Sequence, residues 1–122
     1  MFEVAYQTTF CATHRLTEDG RPIEPNHGHD WRVEVVAAGG DLDEIGVVLD
    51  FEHLKKVLAE VASRFHYRDV NEHPAFAGQS PSAEAVARYF FLEVRKGLAG
   101  EGRHLRRVRV WEAPGCSATY SE

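Results

Sequence analysis

The sequence predicts an α+β domain with the element order β-β-α-α-β-β. Three observations carry that reading. Residues 2–14 and 27–38 alternate apolar and polar side chains, the period of half-buried strands. Residues 51–65 and 83–98 repeat apolar side chains at spacings of three and four, the period of amphipathic helices. Alternation returns in 105–112 and 117–120, on either side of a Pro114-Gly115 turn. A chain of 122 residues that is 43% hydrophobic has material for one core, so one domain over 1–122 is expected.

In the first strand Phe2, Val4, Tyr6, Thr8, Phe10, Ala12 and His14 share a face, and Cys11 lies on the other. Arg15 to Asn26 reads as a loop, with a turn at Asp19-Gly20 and prolines at Pro22 and Pro25. A loop of that length in a small domain is often functional. The second strand places His29, Trp31, Val33, Val35 and Ala37 on one face and ends at Gly39-Gly40. Asp50 suits an N-cap, followed by a stripe of Phe51, Leu54, Leu58, Val61 and Phe65. Residues 66–79 are irregular and polar. Ser80-Pro81 suits an N-cap and first helical position for the second helix, which Gly97 or Gly100 would end. On the third strand Val108, Val110 and Glu112 share a face.

Lys and Arg number 14 against 19 Asp and Glu, a net charge of −5. The basic run at Arg103–Arg109 is therefore read as a solvated strand face, and no nucleic-acid partner is expected. Apolar runs such as Val35-Val36-Ala37-Ala38 are far too short to span a bilayer. The N-terminus lacks the basic start and apolar stretch of a signal peptide, and two cysteines make no disulfide framework. A cytoplasmic protein without a membrane partner is expected.

The chemistry concentrates in Glu24-Pro25-Asn26-His27-Gly28-His29, taken with His14. On an extended segment His27 and His29 point the same way, and Gly28 keeps the backbone between them slim. Three imidazoles from two neighbouring strand ends would make a zinc site with an open fourth position. The competing reading is chance clustering in a chain with seven histidines. Glu24, three residues before His27, is either a general base beside a metal or a surface loop carboxylate. Glu112 follows Val108 and Val110 on a face that should be buried. It either accepts an N–H pair from a heterocycle through both carboxylate oxygens or reaches solvent at the strand end. Cys11 faces away from His14 and is read as a buried structural thiol.

Several motifs fall in register along nearly the whole chain. They are Phe10-Cys11-Ala12-Thr13-His14, His27-Gly28-His29, Gly46 through Lys55, Ser80-Pro81-Ser82-Ala83-Glu84, and Trp111-Glu112 through Ala118-Thr119-Tyr120. Together they resemble the 6-pyruvoyltetrahydropterin synthase and 6-carboxytetrahydropterin synthase family. The resemblance implies the tunnelling fold: a four-stranded antiparallel sheet, with two helices inserted between the second and third strands on one face. It implies homo-oligomers in which sheets close into a barrel, a trimer stacked to a hexamer, with active sites at subunit interfaces. It also implies Zn²⁺ on His14, His27 and His29, a pterin ring anchored by Glu112, and Ser82 at a pterin-contacting position. The usual substrate of the family is 7,8-dihydroneopterin triphosphate.

Two departures bear on the reaction. The family's catalytic cysteine stands four residues before the first histidine of His-Gly-His, where this chain has Ile23. Glu24 follows it, and Glu24-x-x-His27-Gly28-His29 is similar to paralogues that carry glutamate instead of the cysteine. Their reaction resembles a retro-aldol cleavage giving 6-hydroxymethyl-7,8-dihydropterin, a folate precursor. The family's Asp-His-x-x-Leu-Asn stretch corresponds to His66-Tyr67-Arg68-Asp69-Val70-Asn71. His66 fills the catalytic histidine's place only if that segment shifts by one residue. Three functions are therefore expected in order: a zinc-dependent pterin lyase using Glu24; a 6-carboxytetrahydropterin or 6-pyruvoyltetrahydropterin synthase, in queuosine or pterin biosynthesis; and a zinc- and pterin-binding module without turnover.

Overall fold

The computed structural model describes residues 1–122. In chain order it contains β1 (Phe2–His14), β2 (Thr17–Glu18), β3 (Arg21–Pro22), β4 (His27–Gly39), α1 (Phe51–Ser63), β5 (Arg68–Asp69), α2 (Ala83–Leu98), β6 (Leu105–Ala113) and β7 (Cys116–Ser121). The main sheet has five strands in the order β5-β1-β4-β6-β7. β1/β4, β4/β6 and β6/β7 are antiparallel, as expected for the four long strands. β5 is an addition, pairing in parallel with Ala12 and Thr13 only. The expected loop after His14 contains the β2/β3 hairpin, turned through Asp19 and Gly20 at φ of 53° and 77°.

Strand parity decides the layers. Phe10, Ala12, Trp31, Val33, Val35, Val108 and Val110 form the inner face and are buried with Leu54, Leu58, Val61, Val86, Phe90 and Val94 of the two helices. Phe10 stacks between Trp31 and Phe90, with ring centroids 5.8 and 5.5 Å away. Burying such side chains contributes about 1.5–3 kcal/mol each. The β1/β4 register runs from Phe2↔Gly39 to His14↔His27, so the pairing that builds the core also sets the histidines side by side. No helix is long and apolar enough to cross a membrane.

Several local expectations are corrected. The N-cap of α2 is Ser82, not Ser80: its hydroxyl accepts from the Ala85 N–H at 3.1 Å. Pro81 therefore lies before the helix, and its carbonyl faces His14 Nδ1. Neither glycine ends α2. Ala99 takes φ +53° after Leu98, and Gly97 lies inside the helix, where an added Cβ would stand 2.7 Å from Val57 Cγ1. Helix–helix approach therefore selects that glycine. Phe51 opens α1 but is 44% exposed, while Phe65 lies buried just beyond the helix end. Cys11 is half-buried rather than buried.

Candidate metal centre

Two strand ends and a third strand supply the site. His14 closes β1, His27 opens β4 directly opposite it, and His29 follows one strand period later. Residues paired across an antiparallel ladder share a face, so all three rings lie on the inner face, beyond the helix-covered core. Ring centroids are 4.6 Å apart for His14–His27, 5.4 Å for His14–His29 and 4.6 Å for His27–His29. Trp31 lies beneath, edge-on to His14 at 4.8 Å. Gly28 is not demanded by packing within the protomer, since a Cβ there would meet Thr13 Cγ2 at an ordinary 3.6 Å.

The ring nitrogens are oriented by backbone carbonyls. His14 Nδ1 lies 2.9 Å from the Pro81 carbonyl, and His27 Nδ1 lies 2.9 Å from the Pro25 carbonyl. A carbonyl only accepts, so each Nδ1 carries the proton and each Nε2 presents its lone pair inward. That arrangement is how ligating histidines are usually held. His29 Nε2 is buried and has no hydrogen-bond partner. Glu112 Oε1 is 3.3 Å from it, yet this pair makes no hydrogen bond.

Glu112 reaches into the same space. Its Oε1 lies 2.6 Å from His14 Nε2 and 3.5 Å from His27 Nε2. The ligand atoms of His14, His27, His29 and Glu112 all fall within 4.8 Å of one another. Lone pairs on Nε2 facing a carboxylate oxygen repel unless a cation sits among them: a shared proton or a metal ion. The orphaned His29 nitrogen and the carbonyl-oriented lone pairs fit a divalent cation that accepts imidazole.

Electrostatics follow the same geometry. The Pro25 carbonyl raises the pKa of His27 above the ordinary imidazole value, against burial and with help from Glu112 and Glu24. Burial lowers that of His29, opposed by Glu112 and reinforced by the other two rings. Burial pushes the Glu112 carboxyl up, but His14 and the other imidazoles outweigh it and hold it below the usual carboxylate range.

Glu24 stands at the rim. Its Oε1 accepts from the Leu16 N–H at 2.9 Å and lies 3.8 Å from His27 Nε2. The hairpin segment that carries it is clamped by residues to which the sequence reading gave other roles. Asn71 bonds the Arg15 N–H and carbonyl, at 2.9 and 3.0 Å. Asp69 accepts from the Arg15 guanidinium at 3.2 Å, and Ser80 Oγ accepts from the Thr17 N–H at 3.0 Å. The spacing Asp69-Val70-Asn71 was the available signal, since an Asp accepting from a backbone N–H two residues on is an Asx turn.

His66 is not brought to the cluster within the protomer. It is exposed, its Nδ1 accepts from the Cys11 N–H at 3.1 Å, and Cys11 lies on the opposite face of β1 from His14. Ser82 is half-buried, its hydroxyl used to cap α2. A groove of about 540 Å³ lies elsewhere, between α1 and α2 among Lys56, Arg64 and Lys96. It shares no residue with the histidine cluster, whose donors mark the chemistry better than concavity does.

Comparison with known proteins agrees with this architecture. The chain is 33% identical over 109 residues to a putative 6-carboxy-5,6,7,8-tetrahydropterin synthase of Archaeoglobus fulgidus, covering 89% of this chain and 86% of the relative. It is 32% identical over 111 residues to the dihydroneopterin monophosphate aldolase of Pyrococcus furiosus, covering 89% and 88%. The fold superposes on the 6-pyruvoyl tetrahydropterin synthase of Caenorhabditis elegans with a TM-score of 0.90 at 23% identity, over 99% of this chain and 95% of the other. The tunnelling fold is thereby established. Residues 3–122 match the family model described as 6-pyruvoyl tetrahydropterin synthase, and the chain belongs to that family.

Proposed function

We propose that the chain is a zinc-dependent pterin lyase that cleaves the side chain of phosphorylated 7,8-dihydroneopterin, the triphosphate or the monophosphate, to 6-hydroxymethyl-7,8-dihydropterin. The observation that carries the reading is Glu24, a carboxylate tethered to the Leu16 N–H and 3.8 Å from His27 Nε2. A general base has to stand within reach of the proton it takes, and this contact holds Glu24 at the rim of the metal cluster. The Pyrococcus furiosus relative, named as an aldolase on the monophosphate, supports it.

In this reading His14, His27 and His29 hold Zn²⁺, which when bound supplies Lewis acidity toward the side-chain oxygens. Glu24 takes the proton from the hydroxyl on the second side-chain carbon. The bond between the first and second side-chain carbons breaks, its electrons entering the C6–N5 imine of the ring, and a phosphorylated glycolaldehyde leaves. A proton returned to the first carbon completes the hydroxymethyl product. Glu112 anchors the N–H edge of the ring, and Ser82 lies against the pterin. His66 joins the site only across a subunit interface, in a barrel built through β7 and the part of β1 that β5 leaves unpaired.

The Archaeoglobus fulgidus relative favours a second reading, 6-carboxytetrahydropterin synthase. Zinc-loaded protein is incubated with dihydroneopterin triphosphate and, separately, the monophosphate, and the oxidised pterins are separated by fluorescence chromatography. A 6-hydroxymethylpterin peak that falls about 10²–10⁴-fold in rate in Glu24→Ala supports the lyase. A 6-carboxypterin peak instead assigns the synthase, and binding without product assigns a pterin-binding module.

A further inference from the structure

Three consecutive backbone N–H groups after β1 are each taken by a side chain from a different segment. The Arg15 N–H donates to Asn71 Oδ1 at 2.9 Å, the Leu16 N–H to Glu24 Oε1 at 2.9 Å, and the Thr17 N–H to Ser80 Oγ at 3.0 Å. Leu16 is thus the backbone anchor of Glu24, and its carbonyl also accepts from the Ile23 N–H at 3.1 Å. Asn71 takes both backbone groups of Arg15, its Nδ2 donating to the carbonyl at 3.0 Å. Asp69 Oδ2 accepts from the Arg15 guanidinium at 3.2 Å and from Asn26 Nδ2 at 3.4 Å, so it ties the two stems of the Glu24 loop together. The gripping segment is itself fixed: Asp69 pairs with Thr13 of β1, Val70 is buried in the core, and the Asn71 N–H donates to Asp69 Oδ1 at 2.9 Å.

We propose that Asn71 is the positioning residue for the base Glu24. The Arg15 carbonyl and the Leu16 N–H are the two ends of one planar trans peptide unit, so they point in opposite directions. Asn71 Nδ2 fixes the carbonyl end, and the N–H end is thereby aimed at Glu24 Oε1. A donor on the carbonyl also polarises the N–H across the peptide and strengthens its bond to the carboxylate. With Oε1 held in this way, Oε2 is left to take the substrate proton. The hydrogen bonds of Asn71 go to Arg15 and Asp69 and to none of the three histidines, so it acts on the reaction through Glu24. The assignment rests on the reading of Glu24 as the base. It explains how a carboxylate on a loop keeps the precision that such a role needs.

The test combines kinetics of the zinc-loaded protein on dihydroneopterin monophosphate and triphosphate with hydrogen exchange of the metal-free protein. The proteins are wild type, Asn71→Ala, Glu24→Ala and the double variant, each checked for folding by circular dichroism. Asn71→Ala should lower kcat about 10–100-fold, the scale of a misplaced catalytic group, with KM changed by less than about threefold and zinc content kept. In the Glu24→Ala background the same substitution should cost nothing further, because the group it positions is gone. The Leu16 amide should exchange about tenfold faster or more in both single variants, while the amides of Val33 and Val35 exchange as in the wild type. Asn71→Ser, a milder change that cannot reach both backbone groups of Arg15, takes the place of Asn71→Ala if that variant does not fold, and the same pattern is expected of it. An unchanged kcat, a loss of zinc, a loss repeated in full in the Glu24→Ala background, or wild-type exchange at Leu16 overturns the role of Asn71. A wild type without turnover, or a Glu24→Ala that keeps the wild-type rate, overturns the base itself and this assignment with it. A Glu24→Ala deficit beside wild-type kinetics in Asn71→Ala overturns the role of Asn71 alone.

Discussion

The two ends of one sheet face are built alike and do opposite things. Phe10, Trp31, Val33, Val108 and Val110 lie on the inner face of β1, β4 and β6 and are buried beneath the helices. His14, His27, His29 and Glu112 continue the same face of the same strands and leave the core for a polar cluster. Parity and register are common to both. The difference is cover: α1 and α2 seal the first group, whereas the second meets Trp31 at its core end, the Pro25 and Pro81 carbonyls and the clamped hairpin. A site continuous with a core inherits its rigidity. His14 is 0% exposed and rests edge-on against Trp31. This is the support a metal or catalytic constellation needs to hold its geometry.

The largest expected effect separates the two ends directly. His29→Ala should weaken metal binding by more than the roughly 100-fold that losing a supporting partner costs. Its metal-free unfolding free energy should change less than that of a core variant. Isothermal titration and urea melts check both halves, and a large loss of metal-free stability would show that the histidine end also holds the fold.

The converse change is Leu58→Ala, in α1 at 0% exposure. It should cost about 2–5 kcal/mol in urea denaturation yet leave metal stoichiometry and affinity unchanged where the protein is folded. Lost metal in the folded variant would mean that the two regions are not separable.

The smallest effect is a pH dependence on the core side of the molecule. His73 packs against Phe65 and Tyr89, at 4.9 and 5.6 Å, and its Nδ1 accepts from the Ala75 N–H. Burial, helped by Arg64, lowers its pKa below the ordinary imidazole value. The unfolded chain therefore binds this proton more readily, and stability falls as pH drops below about 6.5. His73→Asn keeps an acceptor for the Ala75 N–H and removes the titration. Its metal-free stability should decline less between about pH 7 and pH 5. Coincident pH profiles would show that burial of His73 carries no such penalty.

Much of this was legible in residue order. Period-two alternation marks the four long strands, and it puts the i, i+2 pair His27 and His29 on one face. Parity likewise puts Glu112 on the face of Val108 and Val110, while leaving open whether its carboxylate turns inward or reaches solvent. Parity gives a face but not a rotamer, so the convergence of its Oε1 on three imidazoles was not foreseeable. The irregular segment was the least legible. Aligning His66 with a catalytic position treated 66–71 as a linear motif. In the fold, Asp69 and Asn71 of that segment clamp Arg15 through contacts more than fifty residues apart in sequence.

By itself the sequence determined the α+β class, the helix stripes, the inner face of each strand and the shared side of His27 and His29. These follow from periodicities of 2 and 3.6 residues that the covalent backbone imposes locally. Tertiary structure alone decided the rest. The β1/β4 register set His14 against His27, the Pro81 carbonyl, 67 residues along the chain, turned the His14 Nε2 lone pair inward, and strand β6 delivered Glu112 among them. Those outcomes depend on which strand lies beside which and on where a loop's hydrogen bonds end, and no local period encodes either.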